Sequence, residues 1–257
     1  MSPWDTNGLP VFLRGFVKKM LVGIHAEGRD YLIFKALLAK MLLLDERDLE
    51  LDPAGIPRKV AGKGWNYVLN NIPNVLKKFY HNCASIAVIG IDNDGDCGVQ
   101  MTGREDPNKR RHWNHPGSND NNCRWCQINE RIGSLLPQLN WLPGKSSDKW
   151  PLIVAVPVEQ IESWLLSIEA ILHPGRGRLF SENESRSGQK SQFYGRQTAV
   201  VTEELIKEKA LPLIRNLDQN QIATLKEYSK SFSNFADQIE NAKSVIFRGE
   251  QSNENPN

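Results

Sequence analysis

Three carboxylates spaced two apart, Asp92, Asp94 and Asp96, follow directly on the apolar run Ser85–Ile91. Asn93 and Gly95 between them are turn residues. Carboxylates this close repel one another unless something positive sits among them. Hard divalent ions such as Mg²⁺ and Mn²⁺ take oxygen ligands of this kind. The alternative is an acidic turn left to solvent. The run before the acids, Ile86-Ala87-Val88-Ile89-Gly90-Ile91, is partly β-branched and uncharged. That is the pattern of a strand buried on both faces, as in a parallel sheet. In such sheets, sites form beyond the carboxyl ends of the strands.

A fourth acid has the same setting. Lys18–Ile24 reads as a second short buried strand, followed by His25-Ala26-Glu27-Gly28-Arg29-Asp30 and a helical pattern from Tyr31. Glu27 therefore stands at the carboxyl end of a strand. Asp30 is placed as the N-cap of a helix over about 30–44, whose core stripe is Leu32, Phe34, Leu37, Leu38, Met41 and Leu42. His25 and Arg29 flank Glu27, either within reach of a phosphate or as surface residues.

The remaining elements must hold these acids in place. Residues 45–65 read as a loop broken by Pro53, Gly55, Pro57, Gly62 and Gly64. Its Arg58, Lys59 and Lys63 either touch phosphate or form a solvated connection. A helix over 65–80 carries Val68, Leu69, Ile72, Val75, Leu76 and Phe79 on one face, with Pro73 as a kink or restart. Pro151–Pro157 reads as a third buried strand, and a helix begins near Val158. Glu162 lies near the start of that helix. It either brings a further acid toward the site or is a first-turn Glu favoured by the helix dipole.

The stretch 99–127 is the most polar. Arg104, Lys109, Arg110, Arg111 and Arg124 are interleaved there with Trp113 and Trp125. Cations beside aromatic rings suit a phosphate backbone and unstacked bases; a surface loop is the alternative. His112-x2-His115 and Cys123-x2-Cys126 offer two close donor pairs that could close a tetrahedral Zn²⁺ site, a staple for a loop with little core. The alternative is two ordinary cysteines and two exposed histidines. Ile128–Leu136 reads as a short helix. Residues 173–196 read as a linker or substrate-facing loop, and helices are expected over 200–215 and 219–242, with a polar end from Gly249.

Bulk properties narrow the class. The 257 residues suit one large domain or two small ones, and 40% apolar content supports a sizeable core. A net charge of +2 means that any nucleic-acid surface must come from local patches. No apolar run approaches the roughly 18–20 residues a spanning helix needs, so no membrane association is expected. Arg14, Lys18 and Lys19 break up the start of the chain, which is not expected to be a signal peptide. Four cysteines fit a reducing cytoplasm better than a disulfide framework.

Glu27-Gly28 after one strand and Asp92-Asn93-Asp94 after a later one, with Asp96 as a further acid, resemble the Toprim domain of topoisomerases, bacterial primases and several nucleases. The similarity covers about residues 17–170. Ile161-Glu162-Ser163-Trp164-Leu165-Leu166 also resembles a phrase of bacterial Toprim-like proteins, some tied to phage defence.

The resemblance implies a mainly parallel α/β sheet flanked by helices over 1–175; the polar stretch at about 99–127, with the zinc ligands that its own spacing offers, would be an insertion that the Toprim pattern does not require. A linker and helical C-terminal extension would occupy 176–257. It implies a metal-dependent phosphodiester nuclease acting on DNA or RNA, with Glu27, Asp92 and Asp94 catalytic. Glu27, Asp92, Asp94, Asp96 and Glu162 would gather round Mg²⁺ or Mn²⁺, and Arg29, Lys63, Arg104, Lys109, Arg110 and Arg111 would contact nucleic acid. A partner ATPase or other defence-system protein is a further implied partner. The alternative is a non-catalytic nucleic-acid- or protein-binding module of the same fold.

Overall fold

In the computed structural model the apolar runs become strands of one sheet. β1 spans Met20–Ala26, β2 Leu49–Leu51, β3 Ile86–Gly90 and β4 Leu152–Ala155. They lie in the order β2-β1-β3-β4, and every pairing is parallel. The structure describes residues 19–56, 64–92, 124–139, 150–157, 160–175, 189–195 and 201–247. Four helices accompany the strands: α1 (Tyr31–Leu42), α2 (Trp65–His81), α3 (Arg124–Leu139) and α4 (Glu162–Leu172). Then come α5 (Gln189–Tyr194) and α6 (Glu203–Leu205), the latter running through a π-helical turn, Ile206–Ala210, into α7 (Leu211–Asn216). α8 (Gln219–Tyr228) and α9 (Lys230–Ile246) complete the order. The class is α/β: a four-stranded parallel sheet flanked by helices, with a helical C-terminal part.

A parallel sheet needs cover on both faces, because its crossovers are helices and its strands are apolar on both sides. Successive β1 residues point to opposite faces. Val22, Ile24 and Ala26 join a core with α1, α4 and the C-terminal helices, while Ala87, Ile89 and Ile91 near β3 join a second core with α2 and α3. Two glycines let helices come close. The Phe79 ring of α2 lies where a Gly23 side chain would be, and the Phe34 ring of α1 does the same at Gly90.

The C-terminal helices complete the first core. Trp164 of α4 is 1% exposed, and its ring packs against Phe34, Phe232 and Phe235. Its Nε1–H donates to Ser231 Oγ at 2.9 Å. Truncating a tryptophan so placed typically costs about 3–5 kcal/mol. α9 also covers the sheet edge: the Gln238 carboxamide accepts from Val154 N and donates to Val154 O, both at 2.9 Å. An edge strand otherwise leaves such groups bare.

Several elements differ from the sequence expectation. β2 arises inside the stretch read as loop, and its three residues are too few to show a period. α2 runs through Pro73 without restarting. α3 begins four residues before the helix expected from Ile128. Residues 189–194 are helical and packed, not a linker, with Phe193 and Tyr194 buried. The long helix expected over 219–242 is broken at Ser229, whose Oγ accepts from Phe232 N and caps α9. Among the described residues no helix is long and apolar enough to cross a membrane. Residues 1–16, most of the polar stretch 99–127 and the end from Gly249 lie outside the described residues.

Candidate functional site: a carboxylate group at the sheet's switch point

Strand register levels the carboxyl ends. Ala26 of β1 pairs with Gly90 of β3, and Gly90 with Ala155 of β4. Residues just beyond these three positions therefore meet at one edge of the sheet. The chain runs from β1 to β2 on one side and crosses back to β3 on the other. α1 and α2 consequently cover opposite faces, leaving a crevice between β1 and β3 where ligands bind in open α/β sheets. Glu27 and Asp92 stand there, and Asp92 N donates to Glu27 Oε1 at 3.0 Å.

The turn after β1 needs its glycine, because Gly28 has φ +51°, where a side chain costs about 1–2 kcal/mol. Asp30 N closes the turn by donating to Glu27 O at 3.0 Å. Asp30 holds the expected N-cap position of α1 but does not cap through its side chain. It is already helical at φ −63°, ψ −16°, and its side chain makes no capping hydrogen bond. Its carboxyl instead lies within the electrostatic reach of Glu162 and Glu27. From the far side, the start of α4 contributes Ile161 N, which donates to Asp92 Oδ1 at 3.0 Å. It also contributes Glu162, 2% exposed, whose Oε2 has no hydrogen-bond partner among the described residues.

Crowding shows in the electrostatics. Desolvation, followed by Glu162 and Glu27, pushes the Asp30 carboxyl well above the usual carboxylate range. Desolvation followed by Glu27, Asp30 and Glu162 does the same to Asp92. Burial also raises Glu162, and Lys190 pulls the other way on all three acids. Helix starts offset part of the repulsion. Gly64, the N-cap of α2, lies beside Glu27 Oε2, and the Ile161 N–H already belongs to the start of α4.

Of the residues expected at a site, the structure brings together Glu27, Asp92 and Glu162. Asp94 and Asp96 lie outside the described residues, as do Lys63, Arg104, Lys109, Arg110, Arg111, His112, His115 and Cys123. Cys126 is half-buried in the first turn of α3. Among the described residues no group of three or more His, Cys, Asp or Glu is arranged to hold a metal ion. Arg29 donates to Val201 O at 2.8 Å, strapping the Gly28 turn to the C-terminal part.

Two basic residues considered for phosphate are interior. Arg124 is 1% exposed, with its guanidinium 3.4 Å from the Trp65 ring centroid. His25 is 1% exposed, between Gly55 O (3.3 Å) and Val68 O (3.2 Å), and burial lowers its pKa. Sequence reasoning missed Asp30, Lys190 and Tyr194 as neighbours of the acids. The spacing Glu27-x-x-Asp30 was the available signal for the first; nothing local marks the other two.

Chemically the group is all oxygen, the donor set of Mg²⁺ or Mn²⁺ rather than of a soft metal. The N–H donors on Glu27 and Asp92 fix how those two carboxylates face the crevice. Comparison of the chain with protein-family models, with curated proteins and with solved structures finds no match in any of the three.

Proposed function

We propose that the chain is a Mg²⁺- or Mn²⁺-dependent phosphodiester nuclease of the Toprim type. The observation that carries this is the meeting of Glu27 and Asp92, joined by a hydrogen bond at the switch point of a parallel sheet. Asp92, with Asp94 from the segment that follows, would hold the ion, and Glu162 and Asp96 would support it. A bound ion of this kind neutralises charge developing on phosphoryl oxygens. Glu27 would take the proton from an attacking water, its carboxylate fixed by Asp92 N.

The test is cleavage of single- and double-stranded DNA and RNA by the purified chain, with and without each metal. Cleavage that needs metal and is abolished in Asp92→Ala is the expected outcome. Wild-type protein that binds nucleic acid but cuts no substrate with either metal would establish the binding-module alternative. An Asp92→Ala variant as fast as wild type would remove the carboxylate group from the active site.

A further inference from the structure

The short helix α5 packs against α4, and polar groups are buried on both elements without being satisfied. Glu162, in the first turn of α4, is 2% exposed, and Tyr194, at the end of α5, is 5% exposed. Neither Glu162 Oε2 nor the Tyr194 hydroxyl has a hydrogen-bond partner among the described residues, although Glu162 is an electrostatic neighbour of Tyr194. Buried polar atoms without partners are rare, because each gives up its bonds to water and gains none in return. Docking of α5 therefore carries an opposing term that undocking relieves, since both oxygens would then meet water.

The attachments of α5 are few. A helix of six residues has little stability of its own. Phe193 and Tyr194 join the first core, the Lys190 N–H donates to Gln160 Oε1 at 3.2 Å, and Lys209 Nζ donates to Tyr194 O at 3.1 Å. Gln160 precedes Ile161, whose N–H holds Asp92. α5 thus lies against the turn that carries one side of the acid group. Anything that is to meet the Glu162 carboxylate must first displace an element that covers it.

We propose that α5 is a lid over the Glu162 side of the acid group, poised to lift as a unit and to let Glu162 and Tyr194 take up water. The lid concerns access to the acids and stands whether or not they hold a metal.

The experiment is amide exchange on the full chain, wild type, Tyr194→Phe and Phe193→Ala, without urea and in urea below the unfolding transition. The reporters sit at the two ends of α5: Lys190 N–H, bonded to Gln160 Oε1, and Gly195 N–H, bonded to Ser191 O. Both should exchange through one shared opening that urea hardly affects, because little surface is exposed when the lid lifts. Tyr194→Phe deletes only the unpaired hydroxyl, so it should slow both amides about tenfold. Phe193→Ala removes the apolar anchor and should quicken both. Quicker exchange in Tyr194→Phe would overturn the lid, because it would mean that the hydroxyl is satisfied when α5 is docked. Exchange at Lys190 and Gly195 that requires global unfolding, with the urea dependence of the α1 amides, would overturn it too. So would a change at Gly195 alone, which marks a fraying helix end and not a lid. Should Phe193→Ala not fold, Phe193→Leu gives the same readouts.

Discussion

Replacing Asp92 by Asn should stabilise the protein. The substitution keeps an oxygen to accept from Ile161 N and removes only the charge. Glu27 and Asp92 extend from adjacent strands about 5 Å apart. Two like charges at that separation repel by roughly 3 kcal/mol at an effective dielectric constant of about 20. Asp30 and Glu162 add to the repulsion on Asp92, and Lys190 offsets part of it. Asp92 is half-buried, so water screens it further. The expected gain is about 1–3 kcal/mol at pH 7, read from urea unfolding in EDTA.

The pH dependence has a definite sign. A carboxyl whose folded pKa is raised takes up its proton in the folded state before the unfolded chain does. Its penalty is therefore present in full above the folded pKa. It fades as pH falls through that value toward the unfolded pKa of about 4. The advantage of Asp92→Asn should accordingly shrink on acidification toward the unfolded pKa. A folded Asp92→Asn variant less stable than wild type at pH 7, or an advantage that grows on acidification, would refute a crowd of like charges at the switch point.

Two further outcomes follow from other parts of the structure. His25 is held neutral by burial, so its stabilisation is full above the unfolded pKa of about 6.5 and is lost as pH falls below it; the stability gap between wild type and His25→Asn should narrow from pH 7 to pH 5.5, and a constant gap would show that the imidazole does not titrate differently on folding. Gln238→Ala removes both hydrogen bonds to Val154 and should cost about 1–3 kcal/mol in urea unfolding while the Val154 amide loses exchange protection; a change below about 0.5 kcal/mol would class it with neutral surface substitutions.

The strands that carry the site were legible because their signal is local. Ile86–Gly90 and Leu152–Ala155 are short uncharged runs, and Met20–Ala26 differs only by one histidine. Parallel pairing followed from the helical patterns between them. Glu27 and Asp92 could be proposed as neighbours because both follow strand ends, and parallel strands put such ends on one edge. The order β2-β1-β3-β4 was not legible, nor was β2, because three residues carry no period and neighbour choice is a property of the assembled sheet.

Side-chain fate at the site was decided by packing. Asp30 reads locally as a helix cap, yet its turn begins helical and turns the carboxyl into the acid group. Arg124 reads as one of a basic cluster, yet α3 buries it on Trp65, about 60 residues earlier in the chain. Lys190 lies among serines and glycines that resemble a linker, and only the docking of α5 on α4 brings it to acids supplied by residues 27–162. By itself the sequence determined which segments are apolar enough to be strands and helices, and which acids end the strands, because burial pattern and turn chemistry act over a few residues. Tertiary structure alone decided which charges face one another, because Coulomb energy and desolvation depend on distance in space, and residues remote in sequence set that distance.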